Sequence, residues 1–371
     1  MIYGKMANEN ATVSHLSDAM ATTKDTQITA GSRVTSSSFA NIRFHFQLSV
    51  LVIGVFGTAA NALILYAMVA SKEHKNHLLI FNQNALDLFS CVFVVITYPV
   101  KFFNIYPLTG SLGYWLCMLI TTDIFIWIGS VGSVINLAAI TVERYLKVVH
   151  ATWSKTKLRH WMIYSAMAFA WIAPTVYFVT FVFSTSVVIN GICRPYMIFK
   201  NKAAMFFHYI WYYLSFYVII LVIFIFCYGR ILIVIRRQAK VMASHNAGQS
   251  STTQTQSNQI QTTVIKTMIF VSAFYAVLWS PYYIYLLMLK LSPTINFAKQ
   301  SVYVGYYLSI FCAYLYTCIN PFIYATKFQP VNQILRRMIP WKKTIEQANQ
   351  TVASSGIRLA TFRAGDARIH N

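Results

Sequence analysis

What this sequence lacks is charge, above all negative charge. Among 371 residues there are only 9 Asp+Glu, and charged residues of both signs reach just 11%. Soluble globular chains carry about 25%. Hydrophobic residues make up 57%, more than one water-soluble core of this size can hide. The net charge of +21 sits at too low a density for a nucleic-acid binder. A cleavable leader peptide is not expected either. Residues 1–43 are polar and Ser/Thr-rich with no early apolar core, so the first helix is expected to act as its own insertion signal. No His-Glu-x-x-His or similar cluster occurs, which argues against a membrane hydrolase and against a metal site. No internal repeat is evident, which weakens a transporter built from two halves. The chain is not expected to be an enzyme.

What is present is a set of long apolar runs. They cover Gln47–Ala70, Leu78–Val100, Leu116–Val149, Trp161–Phe183, Ala203–Ile235, Thr263–Leu291 and Val302–Ala325. A helix crosses hydrocarbon in ~20 apolar residues, and each run is too long and too uniformly apolar for a strand. The expected fold is an all-α membrane protein, a seven-transmembrane helix bundle over residues 47–327. A tail, 1–46, precedes it. The Ser/Thr/Gln-rich stretch 238–263 reads as a disordered loop.

Seven crossings put the two ends on opposite sides. One set of connections holds 10 Lys+Arg and the other holds 20. Basic residues favour the cytoplasm, so the N-terminus is expected outside and the C-terminus inside. The sequon at Asn10 then lies outside, as glycosylation requires.

Six cysteines are present. Cys91, Cys227, Cys312 and Cys318 fall within apolar helices and read as packing residues. Cys117 tops the third helix and Cys193 lies in the second outer loop. Both face the oxidising compartment, so they form either a bridge or two free thiols. In the same loop, Thr185–Ile189 and Ile192–Met197 flank Asn190-Gly191. Asn-Gly supplies the positive φ angles of a two-residue hairpin turn, which predicts a β-hairpin over the outer mouth.

Ionisable groups in a bilayer are costly and point to function. Asp87 sits inside the second run and Asp123 near the outer end of the third. Glu143-Arg144-Tyr145 closes the third run at its cytoplasmic face. Trp279-Ser280-Pro281 interrupts the sixth, and Asn320-Pro321-Phe322-Ile323-Tyr324 the seventh. Proline inside a helix frees a carbonyl and bends the axis. Two such helices beside a buried acid suggest a bundle that moves.

With Asn61, the Cys117/Cys193 pair, Trp171 and Tyr228 on their expected helices, this ordered set resembles the rhodopsin-like (class A) G-protein-coupled receptors from Gln47 to Trp341. The resemblance implies an extracellular ligand, most readily a peptide, and a heterotrimeric G protein as partner. It also implies regulation by receptor kinases and arrestin, and residence in the plasma membrane. It implies the Cys117–Cys193 bridge. By resemblance Arg144 engages the G protein when the sixth helix swings outward, and Glu143 holds it at rest. Tyr228 and Tyr324 meet near Arg144 in the active state, and Trp279 is the packing switch beneath the ligand. Asp87, Ser133 and Asn320 resemble the family's sodium site, so a bound sodium ion is the one expected cofactor. The bland reading of Asp87 is a group satisfied by water and Asn61.

Several positions depart from the family pattern. Gln261 stands where many relatives carry an acid facing Arg144, which predicts elevated basal signalling. Ile220 replaces the usual proline of the fifth helix, which predicts a straighter outer half. Leu278 replaces a cysteine, and Tyr275 a phenylalanine of the switch core. Cys117 and Arg144 are about two residues further apart than is common. That predicts either ~3 Å of extra helix or a local bulge. Asp123 inherits the ambiguity: it pairs with an amine or ligand arginine, faces water at the pocket rim, or pairs with a loop lysine. An amine receptor using Asp123 as counter-ion is the alternative function. A seven-span transporter or channel is a more distant one.

The outer helix halves are rich in aromatics, among them Trp127, Trp211, Tyr212, Tyr213, Tyr306 and Tyr307. Tyr282, Tyr283 and Tyr314 match inward-facing positions of the family, and aromatic walls with polar handles suit an aromatic amine or a peptide. No lysine occurs from Gln300 to Thr326, so a retinal Schiff base has no amine in the seventh helix. Past Pro330, apolar residues Val331, Ile334, Leu335, Met338 and Trp341 fall at helical spacing. They predict an amphipathic eighth helix over 328–341, lying on membrane lipid. No cysteine follows Cys318, which excludes a palmitoyl anchor there. The tail, 342–371, carries Thr344, Thr351, Ser354, Ser355 and Thr361 as phosphorylation candidates.

Overall fold

The computed structural model describes residues 30–103, 110–196, 199–245, 252–291 and 300–327, with Asn332 and Ile334 beyond them. Among these residues seven helices are long and apolar enough to cross a membrane. They are α1 (Ala30–Ala70), α2 (Leu78–Phe103), α3 (Gly110–Val149), α4 (His160–Thr185), α5 (Lys202–Gln238), α6 (Thr252–Leu291) and α7 (Gln300–Lys327). The fold is the seven-helix membrane bundle that hydropathy predicts. α1 begins well before residue 47, so helix replaces the last part of the expected tail.

α3 is the central strut. Its most apolar window is 83% buried, against 22% for α4. Small residues let it sit there. A Cβ on Gly129 would lie 3.0 Å from the Leu86 carbonyl, and one on Gly132 would lie 2.6 Å from the Ala170 carbonyl. Two neighbouring backbones thus press on one face of α3. Lipid tails are as apolar as leucine, so such close packing does the work that water exclusion does elsewhere.

The helices are not regular throughout. In α3, Cys117–Thr121 form a π turn, and Asp123 follows in the left-handed region at φ 58° before the helix resumes at Ile124. The long Cys117-to-Arg144 spacing is therefore absorbed as a bulge. α5 corrects an expectation. Its outer half holds a π turn at Leu214–Val218, although no proline is present. The Tyr275 hydroxyl on α6 donates to the Phe216 carbonyl within this turn. Tyr217 Oη donates back to the Ala276 carbonyl at 3.2 Å. A wide turn offers its carbonyls to a neighbouring helix, and two phenols secure it without proline.

The expected disordered stretch 238–263 is corrected too. Helix runs from Ile219 to His245 and again from Thr252. Extending a helix already nucleated in the membrane adds a bond per residue at little cost. Residues 246–251 lie outside the described ones, as do the Asn10 sequon and, except for Asn332 and Ile334, the expected eighth helix and tail.

The outer loop forms the predicted hairpin. β1 (Val187–Ile189) and β2 (Ile192–Arg194) pair antiparallel, Val188 opposite Cys193. Asn190 and Gly191 take φ 52° and 75°, the positive angles of a type I′-like turn. A disulfide joins Cys193 to Cys117, with Cα atoms 5.4 Å apart.

Candidate functional site

The bulge in α3 sets the outer site. Thr122 and Asp123 end the π turn, donating from their backbone N–H groups to Cys117 O at 3.3 Å and Ile120 O at 3.2 Å. The Thr122 carbonyl stands at the break. Tyr196, just past β2, donates its hydroxyl to it at 2.5 Å. Asp is one of the few side chains that tolerate φ > 0, and here that conformation accompanies an ion pair with Lys101 at the end of α2. Lys101 Nζ stands 2.6 Å from Asp123 Oδ2, and each side chain is only 15% exposed. Of the three expectations for Asp123, the lysine partner is realised, supplied by a helix end and not by a loop.

Around this pair lies a cavity of about 470 Å³, within the usual range for a ligand pocket. Asp123, Trp127, Tyr282, Tyr307 and Tyr314 line it. Trp127 stacks on Tyr282 with centroids 5.0 Å apart and leans on Tyr314 at 5.6 Å. Tyr283 corrects the sequence reading. One position on from Tyr282, it is turned away from the cavity and packs against Tyr217 at 4.9 Å and Trp279 at 5.8 Å. The wall that sequence missed comes from α4 and α5. Tyr177 Oη bonds His208 Nε2 at 3.0 Å, and His208 stacks on Phe181 at 3.9 Å. Tyr177 and Phe181 are four apart on one helix face, a signal that was readable within the α4 run.

Beneath the cavity Trp279 is fully buried. It contacts Trp127 at 6.3 Å above and Tyr275 at 6.0 Å below. Deeper still, Tyr228 Oη meets Thr141 Oγ1 at 2.9 Å and receives the Ser272 hydroxyl at 3.2 Å. One phenol therefore ties α3, α5 and α6 together.

Asp87 is wholly buried. Asn320 Nδ2 donates to its Oδ2 at 2.8 Å. Ser133, expected to serve a cation, accepts from the Gln83 amide, a residue sequence reading passed over. Asn61 donates to the Gly57 and Thr317 carbonyls at 2.9 and 3.1 Å, joining α1 to α7.

At the cytoplasmic end Glu143 is shared. Its Oε2 lies 3.4 Å from Arg144 Nη2, and its Oε1 lies 2.5 Å from Lys147 Nζ. Arg144 also reaches His77 Nδ1 at 3.3 Å. His77, in the α1–α2 connection, has its pKa pushed down to about 4, by burial first and then by Arg144, with Glu143 opposing and Lys147 adding. A neutral imidazole can accept from a guanidinium, and a protonated one cannot. Tyr145 Oη bonds His150 at 3.1 Å, beside the Arg144 group. Pro281 and Pro321 lie inside α6 and α7. The side chains of Gln261 and Tyr324 fall outside the described residues.

Residues 60–324 match the model of a family described as the 7 transmembrane receptor (rhodopsin family). No curated protein matches the chain.

Proposed function

The chain belongs to the rhodopsin family of seven-transmembrane receptors, and from that premise we propose that its extracellular ligand is a peptide seated in the aromatic cavity beneath the hairpin. Receptors of this family sit in the plasma membrane, bind a ligand from outside and activate a G protein within, and they are not enzymes. The carrying observation is the Lys101–Asp123 pair. The one acid in the cavity wall already has a cation 2.6 Å away. A ligand amine would have to share that carboxylate with a lysine, and like charges at such range repel. A peptide can use the tyrosine hydroxyls and the paired charges as donors and acceptors without adding a net cation.

In this reading ligand contact with Trp127 and Tyr282 is passed to Trp279, directly beneath. Movement of Trp279 and Pro281 releases α6. The Tyr275 and Tyr228 contacts of α5, α3 and α6 then break. Arg144, freed from Glu143 and His77, meets the G protein, with Tyr228 and Tyr324 closing on it and Asn320-Pro321 providing the bend in α7. Tyr145 shapes the same cytoplasmic face. The N-terminus is outside and carries the Asn10 glycan. Kinases and arrestin act on the tail.

The test is a peptide library and an amine library applied to cells expressing the receptor with a promiscuous G protein. Peptides give the signal, and Arg144→Ala silences it at equal surface expression. An amine whose potency collapses in Asp123→Asn would reverse the choice of ligand class. Solute uptake that survives Arg144→Ala would point to a transporter.

A further inference from the structure

Three consecutive carboxamides, Asn82, Gln83 and Asn84, lie buried in α2. Two of them belong to a chain of hydrogen bonds that all run one way. Trp171 Nε1 on α4 donates to Asn82 Oδ1 at 2.9 Å. Asn82 Nδ2 donates to Asn136 Oδ1 on α3 at 2.8 Å. Asn136 Nδ2 donates to Gln83 Oε1 at 2.8 Å, and Gln83 Nε2 donates to Ser133 Oγ. Because Ser133 is an acceptor in this chain, its own O–H is left to donate. Gln83 and Asp87 are both buried in α2, and four residues apart they lie on one face of the helix, so the Gln83–Ser133 bond sits beside the Asp87 carboxylate. Each link polarises the next, so the relay delivers donor character at its end, where the only buried acid of α2 sits.

That bears on the cation expected at Asp87. A hard cation is held by oxygens. Here one of the three expected ligands, the Ser133 hydroxyl, is engaged by an amide N–H2. That group is itself a donor and carries partial positive charge toward the place a cation would take. The residues present do not fit the expected set of Asp87, Ser133 and Asn320. The rival arrangement is a cation held by the oxygens that accept no hydrogen bond from the protein, Asp87 Oδ1 and Asn320 Oδ1, with Asn61 Oδ1 also unpartnered. Against it, the buried carboxylate is already served by the Asn320 amide.

We propose that the Gln83 amide, backed by the Trp171–Asn82–Asn136 relay, stands in for the cation at Asp87, so that the resting bundle of this receptor is independent of sodium.

The test uses the full-length receptor purified in detergent, with no ligand and no G protein. It therefore succeeds or fails separately from the peptide-receptor reading. Thermal melting is compared in sodium chloride and in choline chloride at equal ionic strength. The wild type is expected to melt at the same temperature in both. Gln83→Ala, which frees Ser133 and opens space, is expected to gain a sodium-specific rise. A sodium-specific rise in the wild type that Asp87→Asn removes would overturn the proposal and favour the rival arrangement. Absence of any rise in both the wild type and Gln83→Ala would also overturn it, because the amide is then not what excludes the ion. If Gln83→Ala does not fold, the wild-type comparison with Asp87→Asn decides alone.

Discussion

Lys101 and Asp123 form a pair that is hard to break from one side. Removing one partner of a buried pair leaves an uncompensated charge, at a cost of about 3 kcal/mol, whereas replacing both is nearly neutral. Asp123→Asn is therefore expected to lower the melting temperature of the receptor. Asp123→Asn combined with Lys101→Met should recover most of the loss, and additive losses would show that the two do not interact. A second residue-scale expectation concerns His77. Its folded pKa is near 4 against an ordinary 6.5, so between these values the unfolded chain binds a proton that the folded one refuses. Stability should fall as pH drops from 6.5 towards 4 and stay level with respect to this group above 6.5. His77→Gln should flatten melting temperature against pH in that window, and an unaltered slope would exclude the assignment. Single residues were legible in unequal degree. An acid inside an apolar run announces itself, so Asp87 and Asp123 stood out. Their partners did not. Lys101 lies on another helix, and its approach to Asp123 across the bundle is not written in local sequence. Gln83 was readable in principle, since a carboxamide in hydrocarbon is also costly, but it carries no charge to draw the eye.

At the scale of elements, α5 and α6 are joined by an exchange of phenols and carbonyls. Tyr275→Phe removes the hydroxyl that bonds the Phe216 carbonyl and keeps the ring. A hydrogen bond of this kind is worth about 1 kcal/mol net, which corresponds to roughly a fivefold shift in a two-state balance. Ligand-free signalling at matched surface expression should rise by about that factor. No rise would mean that the bond persists in both states. The hairpin was fully legible because Asn-Gly encodes its own turn. The bulge in α3 was half legible, through a spacing that demanded either a longer helix or a wider turn. The π turn in α5 was not legible. It depends on Tyr275, almost sixty residues further on, and local sequence says nothing of which helices become neighbours.

For the molecule as a whole, the surplus of basic residues reads as orientation. Twenty of the thirty Lys+Arg fall on the side assigned to the cytoplasm, where anionic lipid lies. Against that field Glu143 restrains Arg144 and is itself divided with Lys147. The neutral Gln261 adds no negative charge from α6. Gln261→Glu is expected to reduce basal G-protein signalling, and an unchanged basal level at equal expression would remove Gln261 from the account. The bundle itself was legible from hydropathy alone, because seven runs of spanning length leave few alternatives in a membrane. Its interior was not, because side-chain pairing across helices is set by rotation about each axis.

The left-handed residue at 123 is a seam in the central strut of the bundle. Above it, α3 is tied to the loop by the bridge to the hairpin and by Tyr196. Below it, every residue from Ile124 to Val149 keeps the phase that aims Trp127, Ser133 and Arg144. Added or lost residues between Cys117 and Asp123 would therefore re-cut the lock without disturbing the bolt. Chimeric receptors joined at this point should exchange ligand preference while keeping their coupling, and joins placed lower in α3 should lose both.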